Sequence, residues 1–299
     1  MIKITPISVI NVNGDYNIYL NEVSYLYKFM NTDNLIQKII CSFHDYDHLY
    51  FVSKFYEGFI NNHLSYNWSE KQIQFYSACL INSFINLRNE KLIHRDIHFG
   101  NLVLDEKQYV NLIDFHVVMN YSLKNNPKFD VIGSPELCAP EMVNRLEYDY
   151  NSDYYRLGSM LYYLIFRKYP NYIMKEKNIT QIKINIQETK NYSSSCIDFI
   201  NKLIIVNKTN RIGFDNVYEL MNHSFFIDFD WKNFLNKSMI SPFHKIARTS
   251  LNLCNKNISF TKEIYMNDNL TKNIKFLTKL FSYDNINKVI VDKIINDII

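Results

Sequence analysis

The chain has 299 residues, 47% of them hydrophobic and 21% charged, which suits one large domain or two lobes sharing a cleft. A net charge of only +3, with no dense Lys/Arg stripe among aromatics, argues against a nucleic-acid partner, and no run approaches the ~18 apolar residues of a membrane span. Five cysteines (Cys41, Cys79, Cys138, Cys196 and Cys254) make an odd count without CxxC spacing, the pattern of thiols in a reducing compartment rather than of a disulfide framework or a zinc site.

The opening residues Met1 to Pro6 carry no long apolar core and no cleavage pattern, so no signal peptide is expected. A cytoplasmic (or nuclear) location follows as the expectation. Residues 19–30 have helical periodicity, and 36–43 and 49–54 are strand-like runs of Ile, Val, Phe and Tyr. Ser69 and Gln72 form a capping box that opens a long helix running to about residue 89. Short strands follow at 102–104 and 109–113, then an irregular stretch at 114–141. The run 153–166 predicts a helix buried all round, and further helices are expected at 194–205 and 215–222. From Phe229 on, the chain reads as a tail wrapped on the body. No internal repeat is visible, and a strand-rich part followed by a helical part leaves a cleft between them.

The chemistry sits in the middle. His94-Arg95-Asp96-Ile97-His98-Phe99-Gly100-Asn101 is followed by a predicted strand pair and then Ile113-Asp114-Phe115-His116. Phosphoryl transfer needs a carboxylate to orient the attacking hydroxyl and oxygen ligands to hold Mg²⁺ on the phosphates. Asp96 suits the first task, Asn101 and Asp114 the second, because a hairpin between them returns Asp114 towards Asn101. An HRD tripeptide alone is weak; HRDxxxxN, a strand pair and DF in that order are far more specific.

These residues resemble the eukaryotic protein kinase superfamily. Gly133-Ser134-Pro135-Glu136-Leu137-Cys138-Ala139-Pro140-Glu141 is similar to the end of that family's activation segment. Asp153 in Asn151-Ser152-Asp153-Tyr154-Tyr155-Arg156-Leu157-Gly158 matches the aspartate opening the family's central helix, and Arg211 the arginine that pairs with the segment's glutamate, here Glu141. Met1-Ile2-Lys3-Ile4 resembles the strand of the phosphate-binding lysine. Taken alone Lys3 reads as a terminal lysine; the resemblance pairs it with Glu22. Leu26, Ile39, His94 and Phe115 fall where the family stacks its regulatory spine, and each is equally well explained as core packing. His223-Ser224-Phe225-Phe226, Phe229-Asp230-Trp231 and Ser241-Pro242-Phe243 resemble the region after the last lobe helix of AGC-type serine/threonine kinases. Leu280-Phe281-Ser282-Tyr283 resembles that group's hydrophobic motif, with Thr278 where its first aromatic stands.

Departures are also visible. The family's glycine-rich turn lies before the lysine strand, a stretch this sequence does not include, so weakened ATP binding and a site open to water are expected. His98 stands where the family has a lysine, and small-molecule kinases of the aminoglycoside and choline type share such a histidine and glycine. His116 replaces the glycine of DFG, which predicts altered loop dynamics. Asp130 sits three residues before Gly133, where AGC kinases carry an activating phosphothreonine; it either pairs with Arg95 as a fixed charge or is a solvated loop aspartate. Ile60, Gly100 and Tyr163 occupy the places where relatives that prefer basic substrates carry acids.

The resemblance therefore implies an α+β, two-lobed protein kinase fold: an incomplete β-rich small lobe (1–57), a large helical lobe (58–228) and an AGC-like tail (229–299). It implies transfer of the ATP γ-phosphate to protein Ser or Thr hydroxyls. Asp96 is the orienting base, with His98 beside it; Lys3, held by Glu22, contacts the phosphates; Met1 and Val103 touch the adenine; Asn101 and Asp114 hold Mg²⁺. The expected partners are ATP and a protein substrate, with neither nucleic acid nor membrane, on a monomer. The rival readings are a non-catalytic pseudokinase scaffold and a small-molecule phosphotransferase.

Overall fold

The computed structural model describes residues 2–6, 16–32, 34–44, 48–64, 67–122, 130–170, 173–175, 178–180 and 191–243. Met1 and the motif around Ser282 lie outside these. The first lobe is a three-stranded antiparallel sheet with one helix: β1 (Ile2–Pro6), α1 (Tyr16–Lys28), β2 (Ile39–His44) and β3 (His48–Ser53), in the strand order β1-β3-β2. Along β3 half-buried and buried residues alternate, with Leu49 and Phe51 pointing inward, as a strand with one packed face requires. The strand expected from residue 36 begins at Ile39, and the register slips between Ile39 and Cys41. Ile36 instead bridges Leu112 in parallel, and the Gln37 N–H donates to the Leu112 carbonyl at 2.8 Å. That detour ties the small sheet to the second lobe at the edge of the cleft.

The second lobe follows the short strand β4 (Gly58–Phe59) and is built on α2 (Glu70–Asn89). Ser69 and Gln72 close the expected capping box in both directions. Two strand pairs frame the loops of interest. The first is β5 (Leu92–Ile93) with the later β8; the second is β6 (Leu102–Leu104) with β7 (Val110–Leu112), and β8 spans Met119–Asn120. Then come α3 (Pro140–Val143), α4 (Asn151–Phe166), α5 (Ser194–Leu203), α6 (Tyr218–Met221) and α7 (Trp231–Leu235). The helix expected from residue 215 starts three residues late. Asn216 accepts the Tyr218 N–H at 3.0 Å, a local side-chain turn that competes with helix.

α4 is buried on nearly every side, as its all-round apolarity predicts, and it carries the fully buried Arg156. Phe234 and Phe243 pack edge-on against Phe75, and Phe243 also against Trp68, so residues 229–243 belong to the core of this lobe. No helix among the described residues is long and apolar enough to cross a membrane.

Candidate active site

Three loops and one strand converge where the two lobes meet. β1 sets Lys3 opposite Phe51, and α1 presents Glu22 from below. The Lys3 ammonium lies 3.3 Å from Glu22 Oε1 and 3.3 Å from Asp114 Oδ1. Burial alone would lower the Lys3 pKa; the two carboxylates outweigh it and raise it. The Glu22 side chain is only 4% exposed, so burial raises its pKa against the pull of Lys3.

The loop between β5 and β6 holds its shape through Asp153. That carboxylate, at the start of α4, accepts the backbone N–H groups of His94 at 2.7 Å and Arg95 at 2.9 Å. Burial nevertheless lifts its pKa to about 6 against those bonds. The anchoring supports Arg95 in the left-handed region (φ 69°), a conformation that a non-glycine residue adopts only when held. His94 is fully buried and pushed down to about 4 by desolvation. It is therefore neutral, with Nε2–H donating to the Ile113 carbonyl at 3.2 Å and Nδ1 facing the Asp96 N–H at 3.4 Å. Its ring meets Phe115 edge-on at 5.2 Å, and Leu26 and Ile39 are buried in the same core.

Asp96 carries the exposed edge of this loop. Asn101 Nδ2 donates to the Asp96 carbonyl at 2.9 Å and to its Oδ2 at 3.3 Å, which leaves the Asn101 amide oxygen to accept or ligate. His98 Nδ1 accepts the Gly100 N–H at 3.1 Å, so in the neutral ring Nε2 bears the proton and faces Asp96 Oδ2 at 3.5 Å. A Cβ on Gly100 would stand 2.8 Å from His98 Cε1, so a side chain there would require the partly exposed His98 ring to shift. Burial opposes ionisation of Asp96, but the hydrogen bond from His98 and then the charge of Arg156 bring its pKa below the usual carboxylate value.

The β6–β7 hairpin pairs Leu102 with Leu112, and the Ile113 N–H donates to the Asn101 carbonyl at 3.0 Å. That register sets Asp114 beside Asn101. Asp114 is in the left-handed region (φ 67°), its N–H donating to Gln37 Oε1 at 3.1 Å. His116, in the expected glycine position, reaches back to Asp114 Oδ1 at 2.8 Å. Burial would raise the Asp114 pKa; the His116 hydrogen bond and the Lys3 charge hold it well below the carboxylate range. His116 is raised in return by that hydrogen bond, against burial.

An ionised carboxylate beside a free amide oxygen is a donor set suited to Mg²⁺, which takes one or two protein oxygens and fills its octahedron with phosphate and water. No group of three or more His, Cys, Asp or Glu among the described residues forms an all-protein cage. Val103 is buried with Tyr56 and Ile113 in a small apolar cluster apart from the main core.

Two expectations at the edge of the site meet different fates. Glu141 and Arg211 form a buried bidentate pair, Nη1 to Oε1 at 2.7 Å and Nη2 to Oε2 at 2.9 Å. Arg95, however, is held by the Tyr148 hydroxyl at 3.1 Å and the Val117 carbonyl at 2.6 Å, while Asp130 stays exposed. The pairing of Asp130 with Arg95 is not formed; a fully buried phenol takes that role. The sequence reading also missed Gln37, whose distance from Asp114 along the chain leaves no signal. Arg156 it overlooked despite a signal, a charge inside an otherwise apolar helix.

Comparison with known proteins agrees with this geometry. The family model described as "Protein kinase domain" matches residues 2–226. Serine/threonine-protein kinase sgk-1 of Caenorhabditis elegans is 30% identical over 228 residues, 74% of this chain and 49% of that protein. Serine/threonine-protein kinase Sgk1 of Bos taurus is 27% identical, over 74% of this chain and 53% of its own length. Serine/threonine-protein kinase YPK1 of Saccharomyces cerevisiae is 28% identical, over 74% of this chain and 33% of its own. The chain thus spans about half the length, or less, of these curated relatives. Sgk1 and YPK1 are of the AGC type that the tail resembles. With the family model running from the first strand to residue 226, well over half of its length, the chain belongs to the protein kinase domain family.

Proposed function

We propose that this chain acts as a serine/threonine protein kinase, moving the γ-phosphoryl group of ATP to a protein hydroxyl. The observation that carries the reading is the charge network across the cleft, in which Lys3 lies 3.3 Å from both Glu22 and Asp114. One lysine shared between a helix glutamate of one lobe and a loop aspartate of the other is arranged to receive phosphate from between them.

In this reading Glu22 holds Lys3 extended so that its ammonium meets the α and β phosphates. The cluster of Val103, Tyr56 and Ile113 offers an apolar surface for the adenine. Asn101 and Asp114 would hold Mg²⁺, which when bound neutralises charge on the phosphates. Asp96 orients the substrate hydroxyl and accepts its proton as the new O–P bond forms and the bond to ADP breaks. His98 donates towards the same carboxylate and keeps it aimed.

A second reading, a binding scaffold without turnover, draws on the contact of His116 with Asp114, which already occupies one carboxylate oxygen. Thermal shift with ATP in the presence and absence of Mg²⁺, on wild type and Asp114→Asn, separates the two. A Mg²⁺-dependent stabilisation that the variant loses supports the kinase reading; no shift at millimolar ATP overturns it.

A further inference from the structure

Arg156 is among the largest side chains in the molecule with no exposed surface. It projects from α4. Its Nη2 donates to the Ile132 carbonyl and to Cys138 Sγ, the latter at 3.3 Å. Its Nε and Nη1 have no hydrogen-bond partner. A buried guanidinium with unmet donors is costly unless an anion stands close by.

The group that stands there is Asp96. A Cβ on Gly133 would lie 2.4 Å from Asp96 Oδ1 and 3.1 Å from Arg156 Nη1. The Cβ that Gly133 (φ +81°) lacks would fall between the carboxylate and the guanidinium, so the two charges face each other across this glycine with no side chain between them and without a direct hydrogen bond. The other side chain facing this carboxylate is His98, whose ring is 34% exposed, with Nε2 3.5 Å from Asp96 Oδ2. Guanidinium stays charged throughout the physiological range.

Resting on the kinase reading above, we propose that Arg156 is a positioning residue for phosphoryl transfer. It is a fixed buried cation that ties the Ile132 and Cys138 stretch to Asp96 and holds that carboxylate where it meets the substrate hydroxyl. The segment that flanks the incoming substrate and the carboxylate that orients it then move as one body. Misplacement of such a group by about 1 Å costs on the order of 100-fold in rate.

The test compares wild type, Arg156→Met and Arg156→Lys in the full chain. Mg²⁺-dependent ATP turnover is measured with water and with dephosphorylated casein as acceptors, and thermal melting reports folding. The Met side chain fills similar space without charge or donors. The expected result is a kcat reduced on the order of 10- to 100-fold with KM for ATP within about twofold, because the nucleotide contacts are untouched. Arg156→Lys, which keeps the charge, should stay within about threefold of wild type. A merely structural role predicts loss of folded protein without that split and without rescue by lysine. An active wild type with an equally active, folded Met variant overturns this inference alone. If the Met variant does not fold, a folded Lys variant depleted more than about tenfold overturns it equally. A wild type that turns over ATP with neither acceptor overturns the kinase reading, and this inference with it.

Discussion

Removing the carboxylate of Glu141 isolates a charge that the fold has taken fully out of water. Arg211 is 2% exposed and its pair with Glu141 is bidentate at 2.7 and 2.9 Å. Breaking a buried pair from one side costs about 3–5 kcal/mol, because the surviving ion keeps its desolvation penalty. Arg211 retains other company: Nη1 donates to the Asn151 carbonyl at 2.7 Å, Nε to the Ile205 carbonyl at 3.0 Å, and the guanidinium lies 4.9 Å over the Tyr155 ring. Those contacts place Glu141→Ala at the lower end, about 3 kcal/mol. At about 2–4 °C per kcal/mol for a unit of this size, the melting temperature falls by about 6–12 °C. Urea unfolding followed by fluorescence of Trp68 and Trp231 reads the change as a lower midpoint at constant slope. The companion variant Glu141→Met/Arg211→Met replaces the pair by apolar side chains and should recover most of the loss, since desolvated pairs contribute little net stability over good packing. A single variant that loses under about 1 kcal/mol, or a double variant no better than the single, refutes the reasoning.

The remaining predictions are smaller. Tyr148→Phe removes the phenol that Arg95 donates to and should cost about 1.5–3 kcal/mol, whereas Asp130→Ala should stay within about 0.5 kcal/mol; the reverse ranking in urea titrations would restore Asp130 as the partner of Arg95. His94 is depressed in the folded state to about 4 from an unfolded value near 6.5, so its contribution is complete above 6.5 and is lost as pH falls through 4. Wild type should then lose up to about 3 kcal/mol more than His94→Phe between pH 7 and pH 4, and a pH-independent difference between the two would contradict the assigned neutral ring. Peptide-array phosphorylation should show weak selection for arginine upstream of the target residue. Ile60 is buried and Tyr163 stacks on Tyr169 at 4.8 Å, so neither side chain offers a carboxylate to an incoming arginine; strong arginine enrichment would defeat this.

The parts of the site legible in the sequence are those whose geometry is local or whose spacing is dictated by a strand and its neighbouring helix. Asp96 and Asn101 sit five residues apart on one loop, and the hairpin register that brings Asp114 back to them follows from two short apolar strands. The capping box and the apolar run of α4 are likewise written in adjacent residues. The parts that were not legible are partners chosen by packing across long separations. Gln37 and Asp114 are 77 residues apart, Arg95 and Tyr148 are 53, and no pattern of polarity links either pair. The Asp130 expectation shows the physical reason. Charge complementarity offered a carboxylate as a partner for Arg95 beside the alternative of a solvated loop aspartate, which is how Asp130 stands, and Arg95 is only 9% exposed. A carboxylate brought there would have to shed its own hydration, a cost of several kcal/mol that the ion pair must first offset. The Tyr148 ring gains from the same burial, and its hydroxyl still accepts the guanidinium N–H. In a desolvated pocket a neutral acceptor carried on an apolar ring outcompetes a formal charge, which is why charge pattern alone left the partner of Arg95 open.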